Sequence, residues 1–564
     1  MKKSIRIGLA QINTTVGDLA GNQKKICAYI GKARQSGCDI VVFPELAITG
    51  YPPEDLLLKK HFIVANRKAI QAVAGEAKDI VAVVGFVDVD VHGHLYNAAA
   101  IIAGKKIQSV YRKNHLPNYG VFDEQRYFTC GRDINIFYYD GLKIGVSICE
   151  DIWQGSEYCK RYAKQGARIL LNLSASPYHC YKNSERQTVL KACARTSRSV
   201  VCYCNLVGGQ DELVFDGQSV ILDSKGHWIT SAEAFQEDLC VTDVLVETSA
   251  GRKGQDLKGF SSQRSSSHPK ILITRKKVQP LSRIDEIYQA LVLGTRDYVV
   301  KNGFQNVVIG LSGGIDSALV ATIAKDALGP DHVLGVCMPS RYTSEETLRD
   351  ARAQAHSLGI CFQQIPIDEL FSAYLKVLQP IFVDHAVNIA EENLQARIRG
   401  NLLMALSNKF GHLVLTTGNK SEIAVGYCTL YGDMAGGFAV IKDVPKTVVY
   451  QLARRINVQQ GKEVILKSII DRAPTAELKE NQKDQDTLPA YDVLDAILQD
   501  YVENDKGLAQ LKRPGRDAAL IKNIVQLVDR MEYKRRQAPL GVKITPKAFG
   551  RDRRLPITNQ YRER

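Results

Sequence analysis

Residues 312–317 read Ser-Gly-Gly-Ile-Asp-Ser and stand between a strand-like apolar run and a helical stretch. Backbone N–H groups exposed by glycines and by a helix N-terminus bind phosphate oxygens, and Ser312 and Ser317 add hydroxyl donors. The lysine of a G-x-x-x-x-G-K-[ST] loop is absent, and Asp316 stands in the loop instead. A carboxylate beside phosphates requires a divalent cation between them, so the pattern predicts a phosphate site with Mg²⁺. The alternative is a plain Gly-Gly turn in which Asp316 and Ser317 cap the helix.

A second group of reactive side chains lies in the first third of the chain. Cys149 follows the strand-like run KIGVSI and precedes a sharp turn, where helix amides favour a thiolate. Glu45 follows another apolar run and a proline, and Lys113 lies just past a third strand-like run. Side chains at the carboxyl ends of strands can converge on one cleft. There, Glu45 can take the thiol proton and Lys113 can stabilise the oxyanion of a tetrahedral intermediate.

Each of these three residues also has a plain structural interpretation. Glu45 can be a capped strand end, Lys113 a solvated lysine and Cys149 a small core residue. A Cys–His dyad with His115 or His179 as the base is the competing chemistry. The dyad leaves Glu45 and Lys113 unexplained, so the sequence favours the Glu–Lys–Cys set.

The elements that must position this set alternate between strand-like and helix-like segments over the first 240 or so residues. Strands are predicted at residues 5–12, 40–43, 80–86, 143–148, 169–173 and 200–205, and helices at 21–37 and 184–199. Residues 96–113 and 140–148 have the pattern of hairpin or meander elements. This order predicts a mixed α/β layered domain.

The glycine-rich loop belongs to a second α/β region. Residues 248–270 are rich in Gly, Ser, Lys and Arg without an apolar period, which is typical of a linker or mobile loop. A helix from residue 281 to 303, a strand at 307–311, the loop, a helix at 318–328 and a strand at 333–337 follow. This β-loop-α-β unit predicts a doubly wound parallel sheet. We therefore expect domains at residues 1–248 and 281–564, joined by a linker at 249–280.

Bulk composition limits the class of protein. The 564 residues are 45% hydrophobic and 24% charged, which is typical of a globular chain with more than one domain. The formal net charge of +14 favours nucleic acid, a membrane surface or a phosphate-bearing small molecule as partner, or is simply a solvated basic surface. The 13 cysteines include no C-x-x-C pair, which argues against a disulfide framework and a structural metal site. The start lacks a signal-peptide pattern and no apolar run reaches about 18 residues, so we expect a soluble cytoplasmic protein without a membrane partner.

The Ser-Gly-Gly-Ile-Asp-Ser loop resembles the SGGxDS loop of the N-type ATP pyrophosphatase superfamily. This resemblance implies cleavage between the α- and β-phosphates of ATP, giving an adenylated substrate and pyrophosphate. The superfamily includes NAD synthetase, GMP synthetase, asparagine synthetase and tRNA-modifying enzymes, and the loop alone does not choose among them. The ATP-binding residues that it implies are Gly310, Leu311, Ser312, Gly313, Gly314, Ile315, Asp316 and Ser317.

The segments "DIVVFPELAITGY", "YRKNHLPNYGVFDEQRYF" and "KIGVSICEDIW" resemble the nitrilase (carbon–nitrogen hydrolase) family over roughly residues 4–245. That resemblance implies a four-layer αββα fold and catalysis by Glu45, Lys113 and Cys149. Glu124 occupies the position of a supporting second glutamate in the family. An amidase that releases ammonia, fused to an adenylating domain, is most simply an amidotransferase.

Essentially the whole chain is similar to the glutamine-dependent NAD synthetase family. Beyond the segments above, "SASPYHCYKNSERQ", "EENLQARIRG", "TTGNKSE" and "EYKRRQAP" match the family. The resemblance implies glutamine contacts at Tyr119, Ser176 and Lys182, an ATP contact at Thr417, deamido-NAD contacts at Asn393, Glu422 and Lys534, and Mg²⁺ ligands at Asp316 and Glu422. It also implies a segment at residues 471–498 that closes on the nucleotide.

The activity implied by this resemblance is amidation of deamido-NAD to NAD⁺, with ATP as co-substrate and ammonia from glutamine. The implied partners are these small molecules, not nucleic acid, and the implied assembly is a homo-oligomer joined through the synthetase domains. Alternatives are another ATP-pyrophosphatase amidotransferase, an RNA-modifying enzyme with Cys337, Cys361 or Cys428 as sulfur relay, and a catalytically dead scaffold.

Overall fold

The computed structural model describes residues 2–247, 278–480, 482–511 and 517–561. The chain divides into two compact units, Met1–Gln210 with Val214–Pro280, and Asp211–Leu213 with Leu281–Arg564. All of the predicted linker at 249–280 except residues 278–280 lies outside the described residues. Within the described ranges, no helix is long and apolar enough to cross a membrane.

Two six-stranded sheets dominate the first unit. The strands of residues 2–247 are β1 (Lys2–Gln11), β2 (Ile40–Val42), β3 (Val81–Val89), β4 (Leu95–Ala103), β5 (Lys106–Arg112), β6 (Asn135–Tyr139), β7 (Leu142–Ile148), β8 (Ile169–Ser174), β9 (Val200–Asn205), β10 (Val207–Gln210), β11 (Leu213–Asp216), β12 (Val220–Leu222), β13 (Trp228–Ser231) and β14 (Asp238–Glu247). The helices are α1 (Leu19–Gln35), α2 (Lys60–Glu76), α3 (Ser156–Lys164) and α4 (Lys182–Ser197).

The two sheets pack face to face between layers of helices. Their strand orders are β14-β1-β2-β3-β4-β5 and β13-β12-β9-β8-β7-β6. Alternate residues of β1, such as Ile5 and Ile7, join the core between the sheets, because successive side chains of a strand point to opposite faces. Val41 and Phe43 belong to a separate core under α1 and α2, and α3 and α4 cover the other sheet. The predicted αββα four-layer fold is confirmed.

The second unit is built on one five-stranded sheet. Its strands are β15 (Val307–Gly310), β16 (Val333–Cys337), β17 (Cys361–Gln364), β18 (Leu413–Thr416) and β19 (Phe438–Ala439). Its helices are α5 (Arg283–Lys301), α6 (Ile315–Leu328), α7 (Glu345–Leu358), α8 (Asp368–Phe382), α9 (Ile389–Phe410), α10 (Lys420–Val425), α11 (Lys446–Gln460), α12 (Lys467–Asp471), α13 (Tyr491–Leu498), α14 (Leu508–Leu511), α15 (Ala518–Arg530) and α16 (Glu532–Arg535).

All strands of this sheet run parallel, in the order β17-β16-β15-β18-β19. The chain passes from β15 to β16 on one side and later returns to β18 on the other, so the strand order reverses at β15. Ligands of open α/β sheets bind at such a reversal, beyond the carboxyl end of the strand. The predicted doubly wound parallel sheet is confirmed, and residues 312–317 lie at its reversal point.

Helix α6 begins at Ile315 and not at residue 318 as predicted. Gly314 is the extended residue before the helix, and the Ser317 hydroxyl donates to its carbonyl oxygen at 2.9 Å. An acidic residue in the first turn is favoured by the helix dipole. Asp316 and Ser317 are therefore helical residues, and the open part of the loop is shorter than predicted.

Gly85 lies where β3 passes the chain that follows β2. A Cβ atom at this position would lie 2.4 Å from both the Pro44 carbonyl oxygen and the Leu46 backbone nitrogen. Backbone atoms cannot swing aside as a flexible side chain can, so the turn that carries Glu45 packs directly on a glycine. Gly31, inside α1, is the opposite case, because a Cβ there would have no neighbouring atom within 4 Å.

We expect Gly85→Ala to destabilise the first unit by about 1–3 kcal/mol, as overpacking of a core does. The control Gly31→Ala should be neutral or stabilising by up to about 1 kcal/mol, because alanine favours a helix over glycine. The 2 tryptophans, Trp153 and Trp228, both lie in the first unit, so tryptophan fluorescence during urea unfolding reports on that unit. An unchanged unfolding midpoint for Gly85→Ala would contradict the close backbone approach.

Candidate active sites

Lys113 lies at the centre of a buried cluster of charges in the first unit. Its Nζ donates to Glu45 Oε1 at 2.6 Å and to the two carboxylate oxygens of Glu124 at 2.8 and 2.9 Å. Glu45 also accepts from Asn97 Nδ2 at 2.7 Å and from the backbone N–H of Ala175 at 2.9 Å. Lys113 and Glu45 are each only 1% exposed, so the cluster is shielded from water.

Separate strands bring the predicted catalytic residues to this place. Glu45 follows β2, Lys113 directly follows β5, and Cys149 directly follows β7. Cys149 opens a tight turn, Cys149–Ile152, and its φ is +38°. A left-handed backbone at a residue other than glycine is strained and persists where the surrounding structure holds it.

Burial and neighbouring charges decide the protonation of this cluster. Burial, with Glu45 adding and Lys113 opposing, raises the pKa of the Cys149 thiol well above its usual value. The thiol is therefore protonated at neutral pH, whereas the turn alone predicts a thiolate; desolvation outweighs the helix amides. Burial raises the pKa of Glu124 to about 7, while Lys113 lowers it and Glu45 raises it. A nucleophilic Cys149 needs a base, and Glu45 is the carboxylate whose charge acts most strongly on it.

Tyr119, Ser176 and Lys182, the predicted glutamine contacts, lie near the cluster of Glu45, Lys113 and Cys149. Ionisation of Cys149 would raise the pKa values of Tyr119 and Lys182, so both side chains lie near the thiol. The Lys182 ammonium lies 4.1 Å from the centre of the Trp153 ring, and burial lowers its pKa. Ser176 is buried and follows the residue whose N–H holds Glu45.

Glu150 is a site residue that the sequence does not single out. It is 5% exposed, and its carboxylate accepts from the Tyr119 hydroxyl at 3.0 Å and from Gln154 Nε2 at 2.7 Å. Its charge also acts on Cys149. Its one sequence signal, an acid in the first turn of a helix, has an ordinary interpretation in the helix dipole. A buried carboxylate in the cleft can bind a cationic group of a substrate.

The imidazoles of the alternative dyad are engaged by other groups. His115 Nδ1 lies 3.3 Å from Asp151 Oδ1. His179 Nδ1 lies 2.9 Å from the carbonyl oxygen of Cys180. The geometry therefore favours a carboxylate over either histidine as the base.

A cavity of about 380 Å³ lies at the carboxyl end of β15 in the second unit. The predicted nucleotide residues that line it are Gly310, Leu311, Ser312, Asn393, Thr417 and Lys534. Gly313, Gly314, Ile315, Asp316 and Ser317 continue from this wall into the first turn of α6. Residues 475–478 and Gln482, from the segment predicted to close on the nucleotide, also line the cavity.

The glycine-rich loop is held in one conformation by its own side chains and by a neighbouring helix. Gly313 has a φ of +78°, and a Cβ there would lie 2.4 Å from the carbonyl oxygen of Thr347. The Ser312 N–H donates to Ser317 Oγ at 3.3 Å, and the Gly314 N–H donates to Ser312 Oγ at 3.2 Å. A fixed loop with a helix N-terminus behind it is an arrangement that binds phosphate oxygens.

Asn393 and Lys534 bond to other parts of the cavity wall. Asn393 Oδ1 accepts from the Thr429 hydroxyl at 2.7 Å. Lys534 Nζ donates to the carbonyl oxygens of Gly426 and Cys428 at 2.9 and 2.8 Å. Lys534 thus brings a positive charge to the cavity from the basic C-terminal region.

Asp316 and Glu422, the predicted metal ligands, converge on the ammonium of Lys446. Its Nζ donates to Asp316 Oδ2 and, at 3.1 Å, to Glu422 Oε1. Asp316 Oδ1 accepts from Asn419 Nδ2 at 3.0 Å. Lys446 is not found from the sequence, because it lies 130 residues from Asp316. Its one signal is a cation at the first residue of α11, where the helix dipole is unfavourable and a compensating partner is needed.

Burial also affects the pKa values of Lys446 and Glu422. Burial opposes ionisation of Lys446, but Asp316 and Glu422 outweigh it and raise the pKa of the ammonium. Burial raises the pKa of Glu422 to about 7, with Lys446 opposing and Asp316 adding. Two carboxylates that meet at one ammonium can also meet at one Mg²⁺, a hard cation that needs only one or two protein carboxylates beside substrate phosphates. The donor set therefore fits the predicted metal.

The cysteines offered for a sulfur relay do not form one. Cys337 and Cys428 line the cavity, but burial raises their pKa values to about 11 and about 12, so neither is a ready thiolate. Cys361 is exposed in β17. All 13 cysteines lie in the described part of the chain, and none of them forms a disulfide.

Comparison with known proteins assigns the two parts of the chain to two families. Residues 6–252 match the model of the carbon–nitrogen hydrolase family, and residues 287–538 match that of NAD synthase. A glutamine-dependent NAD(+) synthetase from Thermotoga maritima is 47% identical over 100% of both chains. A protein of the same description from Acinetobacter baylyi is 44% identical over 99% of both chains.

Solved structures show the same full-length architecture. The glutamine-dependent NAD⁺ synthetase from Acinetobacter baumannii, in complex with adenosine diphosphate, superposes with a TM-score of 0.77 at 42% identity, covering 100% of both chains. A glutamine-dependent NAD(+) synthetase from Cytophaga hutchinsonii, at 23% identity, has a TM-score of 0.81 over 99% of this chain and 98% of its own, and shows the fold. From both domain matches and these full-length relatives, the chain belongs to the family of glutamine-dependent NAD(+) synthetases, the carbon–nitrogen ligases that amidate deamido-NAD to NAD⁺.

Proposed function

We propose that the first unit releases ammonia from glutamine and that the second unit uses ATP to activate deamido-NAD for attack by that ammonia. The observation that carries this proposal is the presence of two different sites in one chain. One is the buried Glu–Lys–Cys set, and the other is the glycine-rich loop at the reversal point of the parallel sheet. The ADP bound by the Acinetobacter baumannii relative supports an adenine nucleotide as a ligand of this chain.

Cys149 is the nucleophile of the glutaminase reaction. As its Sγ bonds to the amide carbon of glutamine, Glu45 takes the thiol proton and then gives it to the leaving nitrogen, which departs as ammonia. The buried Lys113 ammonium stabilises the negative oxygen of the tetrahedral intermediate. Glu45 next takes a proton from water, and the resulting hydroxide cleaves the thioester to glutamate and returns the thiol. Glu124 holds Lys113 in place through its two bonds to Nζ.

The zwitterionic end of glutamine needs groups of both signs. Lys182 suits the α-carboxylate, and the hydroxyls of Tyr119 and Ser176 add hydrogen bonds. Glu150 suits the α-ammonium, because it is a buried carboxylate next to the nucleophile. Together these four side chains fix the amide carbon against Cys149.

In the second unit, a carboxylate oxygen of the nicotinate group attacks the α-phosphorus of ATP, and pyrophosphate leaves. The backbone N–H groups of Gly313 and Gly314 and the hydroxyls of Ser312 and Ser317 bind the leaving phosphates. Ammonia then attacks the acyl carbon of the adenylate, AMP leaves, and a proton is lost to give the amide of NAD⁺. Thr417 contacts ATP, and Asn393 and Lys534 contact deamido-NAD along the cavity wall. Glu422, next to Asp316, also contacts deamido-NAD.

Mg²⁺ would be held by Asp316 and Glu422 and would supply positive charge to the phosphate oxygens. In this structure both carboxylates are neutralised by Lys446. With a cation between them, the buried lysine would need phosphate oxygens as its counter-charges. The lysine thus protects the site from two unpaired carboxylates before substrate binds.

We also place the domain boundaries at residues 1–248 and 281–564, with the linker at 249–280, near the matched ranges 6–252 and 287–538. The free thiols support the cytoplasm as the location. Detection of the chain in a membrane or secreted fraction of its source cells would contradict that location.

An apolar face of α8 supports a homo-oligomer joined through the second unit. Leu370, Tyr374, Val377 and Ile381 recur at helical spacing and are exposed by 43%, 45%, 74% and 71%. Phe371 is the one fully buried residue of this helix. Contiguous apolar surface of this kind marks an interaction site, and a second copy of the chain is the occupant that we propose.

We expect substitutions to separate glutamine-dependent from ammonia-driven NAD⁺ synthesis. Cys149→Ala should lower glutamine-dependent NAD⁺ synthesis at least about 10³-fold and leave ammonia-driven synthesis close to wild type, because only the first unit loses its nucleophile. Asp316→Ala should abolish both. Cys130→Ala, at an exposed cysteine of the first unit, is the control that should change neither. Ammonia-driven activity lost in a folded Cys149→Ala protein would argue against this division of labour.

Charged substitutions on the apolar face of α8 test the proposed oligomer. We expect the full chain to sediment as an oligomer, and Val377→Glu with Ile381→Glu to shift it towards monomer, because charges cannot be buried in an apolar contact. Val64→Glu places the same charge at a 53%-exposed valine of α2 and should leave the assembly unchanged. A monomeric wild type in sedimentation equilibrium would rule out the proposed interface.

A further inference from the structure

Asp151 makes a set of hydrogen bonds that the proposed chemistry does not use. It is 0% exposed. Its Oδ2 accepts from the Ile148 N–H at 2.8 Å and from the Tyr111 hydroxyl at 2.6 Å. Its Oδ1 accepts from the backbone N–H groups of Asn114 at 3.1 Å and His115 at 3.0 Å.

The backbone donors belong to the two segments that carry reactive groups. Ile148 immediately precedes Cys149, and Asn114 immediately follows Lys113. The corresponding strands, β7 and β5, lie in different sheets, so no ladder of backbone hydrogen bonds joins them. The Asp151 carboxylate therefore bridges the two sheets at the place where the thiol and the ammonium must meet.

We infer that Asp151 is a positioning residue that sets the separation between the Cys149 thiol and the Lys113 ammonium. The bond from Ile148 closes the turn in which Cys149 has its positive φ of +38°. The bonds from Asn114 and His115 fix the chain just beyond Lys113. Asp151 touches neither substrate nor the reacting atoms in this account, which rests on the proposed glutaminase role of Cys149.

An asparagine at position 151 is a sharp test, because it keeps the size of the side chain. Each carboxylate oxygen accepts from at least one backbone N–H, and His115 Nδ1 also lies 3.3 Å from Oδ1. The amide NH₂ of asparagine must therefore oppose either the Ile148 N–H or the two N–H groups of the Lys113 segment. One side of the bridge is then lost while the fold keeps its packing. Displacements of about 1 Å at a catalytic centre cost roughly 100-fold in rate.

Asp39 offers a matched control in the same unit. It is also buried, and its carboxylate accepts from a backbone N–H, that of Arg6, at 2.7 Å and from a tyrosine hydroxyl, that of Tyr139, at 3.2 Å. None of these donors belongs to the Lys113 or Cys149 segments. Asp39→Asn therefore removes a comparable buried carboxylate without touching the bridge.

The experiment measures NAD⁺ synthesis by the full chain with glutamine and, separately, with ammonium. For Asp151→Asn we expect the glutamine-dependent kcat to fall about 100-fold, with the KM for glutamine near wild type and the ammonia-driven kcat unchanged. Hydrogen exchange should show reduced protection of the Ile148, Asn114 or His115 amides. Asp39→Asn should lower the unfolding midpoint of the first unit but keep the glutamine-dependent kcat.

An equal loss of kcat in both variants, or an unchanged kcat in folded Asp151→Asn, would overturn the inference. Should the asparagine variant not fold, Asp151→Ser, whose hydroxyl oxygen still accepts a bond, is assayed in the same way and judged by the same outcomes. Glutamine use that survives Cys149→Ala would instead overturn the proposed function, so the two failures are distinguishable.

Discussion

A lysine ammonium buried between two carboxylates organises each of the two sites. Lys113 lies between Glu45 and Glu124, and Lys446 lies between Asp316 and Glu422. Removing one partner of such a buried set costs about 3–5 kcal/mol, because the remaining charge is left without water or a counter-ion. Each lysine therefore holds its two carboxylates in place. The thiol in one unit and the glycine-rich loop in the other therefore lie beside carboxylates that a buried ammonium holds in position.

The ammonium groups of Lys113 and Lys446 differ in their proposed roles. In the proposed glutaminase reaction, Lys113 stays between its carboxylates while charge develops on the glutamine oxygen, so its positive charge is already in place when the thiol attacks. Lys446 instead lies between the two carboxylates that we propose as Mg²⁺ ligands. In our proposal, the same charge arrangement is a fixed electrostatic centre in the first unit and a counter-ion that Mg²⁺ would replace in the second.

Much of the fold and of the candidate sites could be predicted from the sequence, because the informative residues lie at the ends of strands. Glu45, Lys113 and Cys149 each follow an apolar run, and the loop at 312–317 combines glycines, hydroxyls and a carboxylate between a strand and a helix. Both fold predictions are confirmed for the same reason: strand and helix periods agree with the layers that bury them.

Lys446 and Glu150 could not be found from strand ends or loop composition. Lys446 reaches Asp316 across 130 residues, and Glu150 looks like any acid at a helix start. The raised pKa of the Cys149 thiol could not be predicted either, because its cause is desolvation, which depends on the tertiary packing.

The most direct test of the account follows the nitrogen atom. Glutamine labelled with ¹⁵N at its amide is supplied with deamido-NAD, ATP and Mg²⁺, and the products are analysed by mass spectrometry and chromatography. We expect NAD⁺ to carry the label. AMP and pyrophosphate should each form in the same amount as NAD⁺. Absence of labelled NAD⁺, or formation of ADP and phosphate in place of AMP and pyrophosphate, would contradict the proposed function.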